Sequence, residues 1–254
     1  MISSPPVNVL GVPISAINME QALAEIARRI VARDPTYVCV CTVHSVMDCQ
    51  RWEDLRSLFR AAGLVTPDGM PLVWLARREH RHVSRVYGPD LMLAELDRSQ
   101  VTGHRHFFYG GGPGIGELLG RRRRERFPAI TVAGVEEPPF APLDDLCTDD
   151  VAERINRAGA DIVWVGIGSP KQERWMSRMR SRLEAPVLIG VGAAFDFHSG
   201  LVPQAPRWMQ RSGLEWLHRL STDPKRLWRR YLVDNAWFIG AIGLQMLGLR
   251  RRLL

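Results

Sequence analysis

Short runs of apolar and β-branched residues alternate along the chain with segments of helical periodicity, and this alternation restricts the possible folds more than any other feature. In one such segment, Leu23, Ile26 and Ile30 recur at the spacing of a single helical face. This alternation predicts an α/β fold with a largely parallel sheet and flanking helices. The predicted strands are 7–14, 37–42, 64–66, 106–109, 130–133, 162–165 and 187–191. The predicted helices are 19–33, 52–62, 71–78, 90–99, 114–127, 148–158 and 170–183.

Length and composition are those of a globular protein. The chain has 254 residues, of which 46% are hydrophobic and 24% charged, and these values exclude global disorder and fibrous repeats. The longest apolar stretch, 236–249, is too short to span a membrane and suits a buried or interfacial helix. The first residues lack the basic region of a secretory signal, so we expect a cytoplasmic protein. Cys39, Cys41, Cys49 and Cys147 have no CxxC spacing, which indicates small buried thiols.

The net charge is concentrated near the C-terminus. Residues 203–254 hold ten basic and three acidic residues, a net charge of +7 that equals the charge of the whole chain, together with four of the eight tryptophans. We therefore predict an α/β domain over 1–200, with a possible subdivision at the proline-rich loop near 136–146, and a basic helical appendage over 201–254. Interleaved Trp and Arg fit an anionic membrane surface, a nucleic-acid surface or a solvated helix with inward tryptophans. The neighbouring apolar stretch favours the membrane.

Candidate functional residues follow the predicted strands. In an open parallel sheet, ligands bind beyond the carboxyl ends of the strands, where loops and helix N-termini converge. The run GGGPG, with Gly110, Gly111 and Gly112, either approaches a phosphate at a helix N-terminus or provides a turn with positive φ. It does not match GxGxxG, so a dinucleotide fingerprint is absent. Asp196 follows the last strand and is either a hydrogen-bond partner within its loop or a ribose contact.

Two further strand exits carry charged residues. Asp68 lies in a Pro-Asp-Gly triplet, which is a favoured turn sequence but also places a carboxylate where a general base could act. Lys171, Gln172 and Glu173 fall in the first turn of a predicted helix. The helix dipole disfavours Lys171 there, and a bound anion would explain its presence. The alternative is that Ser169 caps the helix while Lys171 points to solvent.

Six motifs occur along the chain in an order typical of one family. They are TPDG, RVYGPDL, FFYGGGPG, GIGSPKQERWM, GVGAAFDFHSG and APRWMQRSGLEWLHRLSTDPKRLWRRY. Together they resemble the WecG/TagA/CpsF family of bacterial glycosyltransferases over residues 7–238. The resemblance implies a Rossmann-like catalytic domain over 1–200 and a membrane-associating appendage over 201–254. It also implies inverting transfer of a hexose or N-acetylhexosamine, in cell-surface polysaccharide synthesis, at the inner face of the plasma membrane.

The resemblance also implies substrates, partners and residue roles. The expected donor is a UDP-sugar, with no metal ion and no other cofactor, and the expected acceptor is a polyprenyl-diphosphate-linked glycan. The expected partners also include an anionic membrane surface but no nucleic acid. The family's proposed base falls on Asp68 and its active-site arginine on Arg85. The substrate-binding residues that the resemblance implies are Thr42, Gln172, Arg219, Arg226 and Arg229. Those predicted from their positions after strands are Gly110, Gly111, Gly112, Lys171, Glu173 and Asp196.

Two positions differ from the family pattern. Many members have Asn at the position of His44, and many have Arg at the position of Gln204. We predict that His44 is either a second catalytic acid–base group or a different hydrogen-bond partner for a different sugar. The N-acetylmannosamine specificity of parts of the family is therefore not transferred to this chain.

The expected chemistry needs a base and a cationic site for the leaving diphosphate. Asp68 would take the proton of the acceptor hydroxyl. No DxD triplet is available to hold a metal ion, and Arg219, Arg226 and Arg229 would bind phosphate oxygens instead. The alternative function is a non-catalytic basic protein that binds a membrane or nucleic acid and needs neither Asp68 nor Gln172.

Overall fold

The computed structural model describes residues 4–249, apart from the side chain of Arg226. The strands are β1 (Val7–Val9), β2 (Val12–Ile14), β3 (Thr36–Cys41), β4 (Leu64–Pro67), β5 (Arg105–Gly110), β6 (Thr131–Glu136), β7 (Ile162–Gly166) and β8 (Val187–Gly190). The helices are α1 (Met19–Val31), α2 (Val43–Arg51), α3 (Glu53–Ala61), α4 (Met70–Glu79), α5 (Gly88–Thr102), α6 (Ile115–Arg126), α7 (Leu143–Leu146), α8 (Asp149–Ala158), α9 (Lys171–Met179), α10 (Ala194–Ser199), α11 (Arg207–Arg211), α12 (Glu215–Thr222), α13 (Pro224–Trp228) and α14 (Asp234–Met246). A π-helical turn, Arg229–Val233, joins α13 to α14.

A six-stranded sheet in the order β4-β3-β8-β7-β5-β6 forms the centre of the fold. All of its pairings are parallel. Because helices cover both faces, every residue of β3 is buried. The prediction of an α/β fold with a largely parallel sheet and flanking helices is confirmed. Strands from before and after the segment 136–146 belong to one sheet, since β7 pairs with β5.

Two apolar clusters pack on the two faces of this sheet. Successive strand residues point to opposite faces, so Tyr37, Cys39 and Cys41 belong to one cluster and Val38 to the other. Cys39, Cys41 and Cys49 are buried free thiols, as predicted, and Cys147 is partly buried.

The predicted strand over 7–14 is wrong. The chain forms the hairpin β1–β2, which is a separate antiparallel sheet in which Val9 faces Val12. Leu10 and Gly11 make the turn with φ values of 54° and 87°. Positive φ at both central residues is typical of the tight turns that join twisted strands. The sequence lacks the usual Asn-Gly or Asp-Gly pair at this point, so the apolar run was interpreted as continuous.

Two helices that were not predicted begin close to the ends of strands. Only Thr42 separates α2 from β3, and its hydroxyl accepts a hydrogen bond from the Ser45 N–H at 3.3 Å. The Ser45 hydroxyl in turn accepts from the Thr42 N–H at 3.3 Å, which completes a reciprocal cap. Helix α10 begins at Ala194, shortly after β8. The seven predicted helices and the six central strands agree with the structure to within a few residues at their ends.

The C-terminal helices pack against the rest of the chain. Phe238, Ala241 and Ile242 of α14 belong to the same core cluster as the β1–β2 hairpin. The Gln245 side chain accepts from the Leu10 N–H at 2.8 Å and donates to a hairpin carbonyl at 2.8 Å. These contacts connect the C-terminal residues to the core, and the division into domains at residue 200 stays a prediction.

Candidate active site

Two clefts lie side by side at the carboxyl ends of β3 and β4. One, of about 850 Å³, also reaches the ends of β7 and β8, and we call it the polar cleft. The other, of about 940 Å³, is the apolar cleft, and its apolar lining includes Met70, Trp74, Leu75, Trp216, Leu232, Phe238, Ile239, Ile242 and Met246. The residues that line both clefts are Thr42, His44, Asp68, Tyr87, Arg219 and Arg230.

Asp68 directly follows β4 and lies where the two clefts meet. Nε and Nη2 of Arg85 donate to Asp68 Oδ1 at 3.1 and 2.8 Å, and Nε also donates to the Asp68 carbonyl at 2.6 Å. The Val86 N–H donates to the Pro67 carbonyl at 2.9 Å, which holds the Arg85 segment beside the end of β4. Burial raises the pKa of Asp68 to about 6, and Glu215 adds to this rise while Arg85 opposes it. Such a carboxylate can accept a proton near neutral pH.

A second carboxylate at this junction comes from α12 and was not predicted from the sequence. Glu215 Oε2 accepts from Arg85 Nη2 at 2.6 Å, and Oε1 accepts from the Tyr87 hydroxyl at 3.1 Å. Nη1 of Arg85 donates to the Gln210 carbonyl at 3.4 Å. Arg85 therefore connects the C-terminal helices to Asp68. Because Glu215 lies 130 positions after Arg85, no local sequence pattern could indicate the contact.

His44 lies in the first turn of α2, within a cluster of charged residues. Its Nδ1 is 2.8 Å from Asp234 Oδ2, and its Nε2 is 3.3 Å from Asp48 Oδ2. Arg51 pairs with both carboxylates, with Nη1 at 3.0 Å from Asp48. Burial and the nearby Arg230 lower the pKa of His44, although both carboxylates oppose the effect. The cluster joins α14 to α2 and places the imidazole at the boundary of both clefts.

Gln172 and Glu173 are buried in the first turn of α9. The Gln172 amide donates to Glu173 Oε1 at 3.0 Å and accepts from the Gly192 N–H at 3.1 Å. Burial raises the pKa of Glu173, which is absent from the described lining of both clefts. Gln172 and Asp196 line the polar cleft, as their predicted roles require. Glu173 instead holds the amide of Gln172.

Arginines of the C-terminal helices lie over the polar cleft. Arg219, Arg229 and Arg230 line it. The guanidinium carbon of Arg219 is 5.3 Å from the centroid of the Phe197 ring. Arg230 was not predicted, and its Nε is buried without a hydrogen-bond partner in the described part of the chain. The predicted role of Arg226 concerns a side chain outside the described residues.

Gly110, Gly111 and Gly112 do not line the described surface of either cleft. Gly110 has a φ of 142° and pairs with Gly166, and a Cβ at Gly110 would lie 2.5 Å from the Gly166 carbonyl carbon. The Gly111 N–H donates to the Gly166 carbonyl at 3.1 Å. The glycines thus allow close backbone contact between β5 and β7, which supports the turn interpretation.

Groups of the protein itself make the contacts at the two places where an anion is predicted from the sequence. The Glu137 carboxylate accepts from the Gly114 N–H at 2.7 Å and from the Glu117 N–H at 3.0 Å, so it fills the N-terminus of α6. The Lys171 ammonium donates to the Ala141 carbonyl. In the described residues these groups bond within the chain, and the phosphate contacts of the glycine run and of Lys171 stay predictions.

Comparison with known proteins assigns the family. The model of the glycosyl transferase WecG/TagA/CpsF family matches residues 7–252. The chain belongs to the WecG/TagA/CpsF family. The resemblance drawn from the six motifs is thereby confirmed, and with it the expectation of a glycosyltransferase.

Two relatives of this WecG/TagA/CpsF chain carry the name N-acetylglucosaminyldiphosphoundecaprenol N-acetyl-beta-D-mannosaminyltransferase. The Bacillus spizizenii protein is 34% identical over 180 residues, which are 69% of this chain and 66% of the relative. The Bacillus subtilis protein is 32% identical over 180 residues, which are 70% of this chain and 68% of the relative. The chain thus spans about two thirds of the length of these relatives. A solved mutant of arylmalonate decarboxylase in its sulfate-associated form covers 81% of this chain and 82% of its own, at 12% identity and a TM-score of 0.30, which is too low to support an argument.

The described range 4–249 contains neither a metal-binding cluster nor a membrane-spanning helix. In that range no group of three or more His, Cys, Asp or Glu side chains could hold a metal ion. No helix of the same range is long and apolar enough to cross a bilayer. Helix α14 has 13 residues and extends for about 20 Å, against the roughly 30 Å of a hydrocarbon core.

Proposed function

We propose that this chain transfers a hexose or N-acetylhexosamine, with inversion, from a UDP-sugar to a polyprenyl-diphosphate-linked acceptor in bacterial cell-surface polysaccharide synthesis. The observation that carries the proposal is the position of Asp68 at the junction of a polar and an apolar cleft. A water-soluble donor and a lipid-linked acceptor differ in polarity as the two clefts do. N-acetylmannosamine is the first sugar to test, because both relatives are named for its transfer.

The polar cleft suits the nucleotide sugar. Backbone at Gly168 and Gly192 lines it, and both residues have positive φ, so a ligand can approach the main chain closely. Asp196 lines the same cleft, and we propose that it binds ribose hydroxyls. Arg219 and Arg229 supply charge-assisted hydrogen bonds to the diphosphate. We propose that these guanidinium groups offset the leaving-group charge without a metal ion, and that no further cofactor takes part.

The apolar cleft suits the acceptor. Its lining residues Leu232, Ile239 and Met246 are also exposed at the protein surface, so the cleft opens among apolar side chains. An isoprenoid chain would lie there while its diphosphate meets Arg230, which lines both clefts. The acceptor hydroxyl would then lie near Asp68.

The reaction would be a single displacement. The acceptor oxygen forms a bond to the anomeric carbon while the bond from that carbon to the diphosphate oxygen breaks, and its electron pair leaves with the diphosphate. Asp68 takes the proton of the acceptor hydroxyl. Its pKa of about 6 leaves it mostly ionised at neutral pH and more basic than an exposed aspartate.

Exposed apolar side chains among basic residues support a peripheral position at the cytoplasmic face of the plasma membrane. Those of the C-terminal segment are Trp208, Leu217, Trp228, Leu232, Val233, Trp237, Ile239, Leu244, Met246, Leu247 and Leu249. Apolar burial combined with attraction to anionic lipid is the usual basis of interfacial binding. The acceptor of the proposed reaction would be presented at that surface.

The test is a transfer assay with N-acetylglucosaminyl-diphosphoundecaprenol and a panel of UDP- and GDP-sugars, with and without EDTA. We expect transfer from a UDP-sugar that EDTA does not reduce. Asp68→Asn should lower kcat about 10²- to 10⁴-fold, because the general base is lost, while UDP binding is retained. Asp54→Asn is the matched control, since Asp54 also pairs with an arginine but lies outside the clefts. Full turnover by Asp68→Asn would reject the base assignment, and absence of transfer from every donor would reject the function.

A further inference from the structure

Asp68, the proposed base, forms one hydrogen-bonded cluster with two other charged side chains, Arg85 and Glu215. Nη2 of Arg85 donates to Asp68 Oδ1 at 2.8 Å and to Glu215 Oε2 at 2.6 Å, so one nitrogen bridges the two carboxylates. The side chains of Asp68, Arg85 and Glu215 are 11%, 18% and 14% exposed, so water screens this cluster weakly. One guanidinium thus serves two carboxylates, and the cluster has one negative charge in excess when both are ionised.

Glu215 is held in place by contacts that do not involve Asp68. Its Oε1 accepts from the Tyr87 hydroxyl at 3.1 Å. The same segment is fixed to Arg85 through the Gln210 carbonyl, which accepts from Nη1 at 3.4 Å. Glu215 is therefore held in a position where it competes with Asp68 for the Arg85 guanidinium.

We propose that Glu215 is a positioning residue for sugar transfer. It shares the Arg85 guanidinium with Asp68, so the Asp68 carboxylate stays available to the acceptor hydroxyl when the C-terminal helices are docked. The inference rests on the proposed function, because it takes Asp68 as the base. The bonds that Arg85 makes to the Asp68 side chain end on Oδ1, so Arg85 does not occupy Oδ2. Without Glu215, Nη2 of Arg85 would donate to Asp68 alone.

The electrostatic consequence of this arrangement has a definite sign. The charged groups that act on Asp68 are Arg85 from the α4–α5 loop and Glu215 and Arg219 from α12. Tyr87, His44 of α2 and Arg230 of the π-helical turn line the same clefts. Arg85 and Arg219 lower the pKa of Asp68, whereas burial and Glu215 raise it. Removing the charge of Glu215 therefore lowers this pKa and makes Asp68 a weaker base.

The first experiment is the pH dependence of kcat/KM for the wild-type enzyme and Glu215→Gln. The acid limb of the wild type should have its midpoint near the pKa of Asp68, about 6. In Glu215→Gln the midpoint should move down by about one pH unit, since removal of a neighbouring like charge has effects of this size. The maximal rate should fall several-fold, because the base is weaker. Glu215→Asp keeps the charge, so the midpoint of its acid limb should lie close to the wild-type value.

A matched control separates this role from simple docking of the C-terminal helices. Asp90 of α5 accepts from Arg207 Nη1 of α11 at 2.7 Å and lies outside the described lining of both clefts. Asp90→Asn thus removes another carboxylate that pairs the body with the C-terminal segment. Its acid limb should stay at the wild-type position. An equal shift in Asp90→Asn, or none in Glu215→Gln, would overturn the role of Glu215.

A second measurement needs no turnover. The carboxyl carbon resonance of Asp68, assigned through Asp68→Asn, can be titrated by NMR in the wild type and in Glu215→Gln. The midpoint should be lower in the variant. If the wild type transfers sugar but the Asp68 titration is unchanged in Glu215→Gln, the role of Glu215 is rejected and the proposed function stands. Absence of wild-type transfer would reject the proposed function whatever the titration shows.

Discussion

The basicity that we propose for Asp68 depends on burial combined with a shared partner. An exposed aspartate has a pKa of about 3.9 and is a poor base at neutral pH. Burial raises the pKa of Asp68 to about 6, although Arg85 stabilises its ionised form. Arg85 is needed to keep the buried carboxylate ionised, but its full charge would make the base too weak. The balance between these effects is therefore decided by single side chains around Asp68.

Arg219 is the cationic residue whose loss we expect to be most informative. Arg219→Ala should raise KM for the nucleotide sugar and lower kcat, together about 10- to 100-fold in kcat/KM, because a hydrogen bond to a charged group contributes about 1.5–3 kcal/mol. Arg211→Ala removes the same charge from an exposed position outside both clefts and should change kcat/KM less than about two-fold. Steady-state kinetics with thermal unfolding would distinguish the two variants. Equal effects of both would remove Arg219 from the proposed diphosphate site.

Side chains that follow strands could be predicted as site residues from the strand pattern, whereas those supplied by the C-terminal helices could not. Arg219 and Arg229 were predicted only through the family resemblance, and both line the polar cleft. Thr42 and Asp68 follow neighbouring strands of a parallel sheet, so their proximity depends on topology alone. Glu215, Arg230 and Asp234 reach the same place only because the last helices fold back onto the body. The sequence carries no periodic signal for that folding. Lys171 donates to a carbonyl of an earlier loop, a partner that its position in the helix does not indicate.

Helix α14 has two apolar faces with different surroundings. Phe238, Ala241 and Ile242 are buried in the core, whereas Leu244 and Leu247, which follows the last residue of the helix, are exposed. The sequence predicts a buried or an interfacial helix over 236–249, and α14 has one face of each kind. Removing the chain after Ile239 would delete core residues, so it would confuse unfolding with loss of membrane contact. Substitutions on the exposed side avoid that problem.

The corresponding experiment compares two double variants in flotation with vesicles that contain anionic lipid. Leu244→Ser with Leu247→Ser should reduce the vesicle-bound fraction at least several-fold, because each leucine contributes up to about 1.5–3 kcal/mol of burial. Val31→Ser with Val101→Ser removes two apolar side chains that are even more exposed, from the end of α1 and from α5, and should leave binding unchanged. Equal binding by the first variant and the wild type would contradict membrane association through the C-terminal helices.

Among the elements, those with a long-range apolar pattern could be predicted and those defined by local turn geometry could not. The inner strands β3, β7 and β8 are largely apolar runs because helices bury both of their faces. The turn at Leu10 and Gly11 contains a non-glycine residue with positive φ, which composition does not reveal. Helix α2 was missed because its cap uses Ser45 rather than the usual glutamate or glutamine.

At the scale of the whole molecule, buried neutral histidines make stability depend on pH. Burial lowers the pKa of His106 to about 3 and that of His198 to about 4. His106 Nδ1 accepts from the Trp164 indole N–H at 3.1 Å, a bond that protonation at Nδ1 would break. Between the unfolded pKa of about 6.5 and these lower values, the unfolded chain binds protons that the native state does not. This contribution to the free energy of unfolding therefore falls as pH decreases below about 6.5.

His106→Gln isolates this effect. From pH 7 to pH 5, His106 should remove about 2 kcal/mol from the free energy of unfolding of the wild type, and the glutamine variant should lack this loss. Asp68 has a raised pKa and acts in the opposite direction, but both proteins retain it, so the difference between them reports His106. Urea unfolding at the two pH values measures this difference. An identical pH dependence in both proteins would contradict the prediction.

The meeting of two clefts at one carboxylate also bears on the traffic of products. In the proposed reaction, the spent nucleotide would leave through the polar opening into water, while the lengthened glycolipid would slide along the apolar opening into the bilayer. Because the nucleotide and the glycolipid would leave by different openings, neither product would have to dissociate before the other. An enzyme with separate exits can stay on the membrane and serve successive lipid carriers, exchanging only its soluble substrate with the cytoplasm.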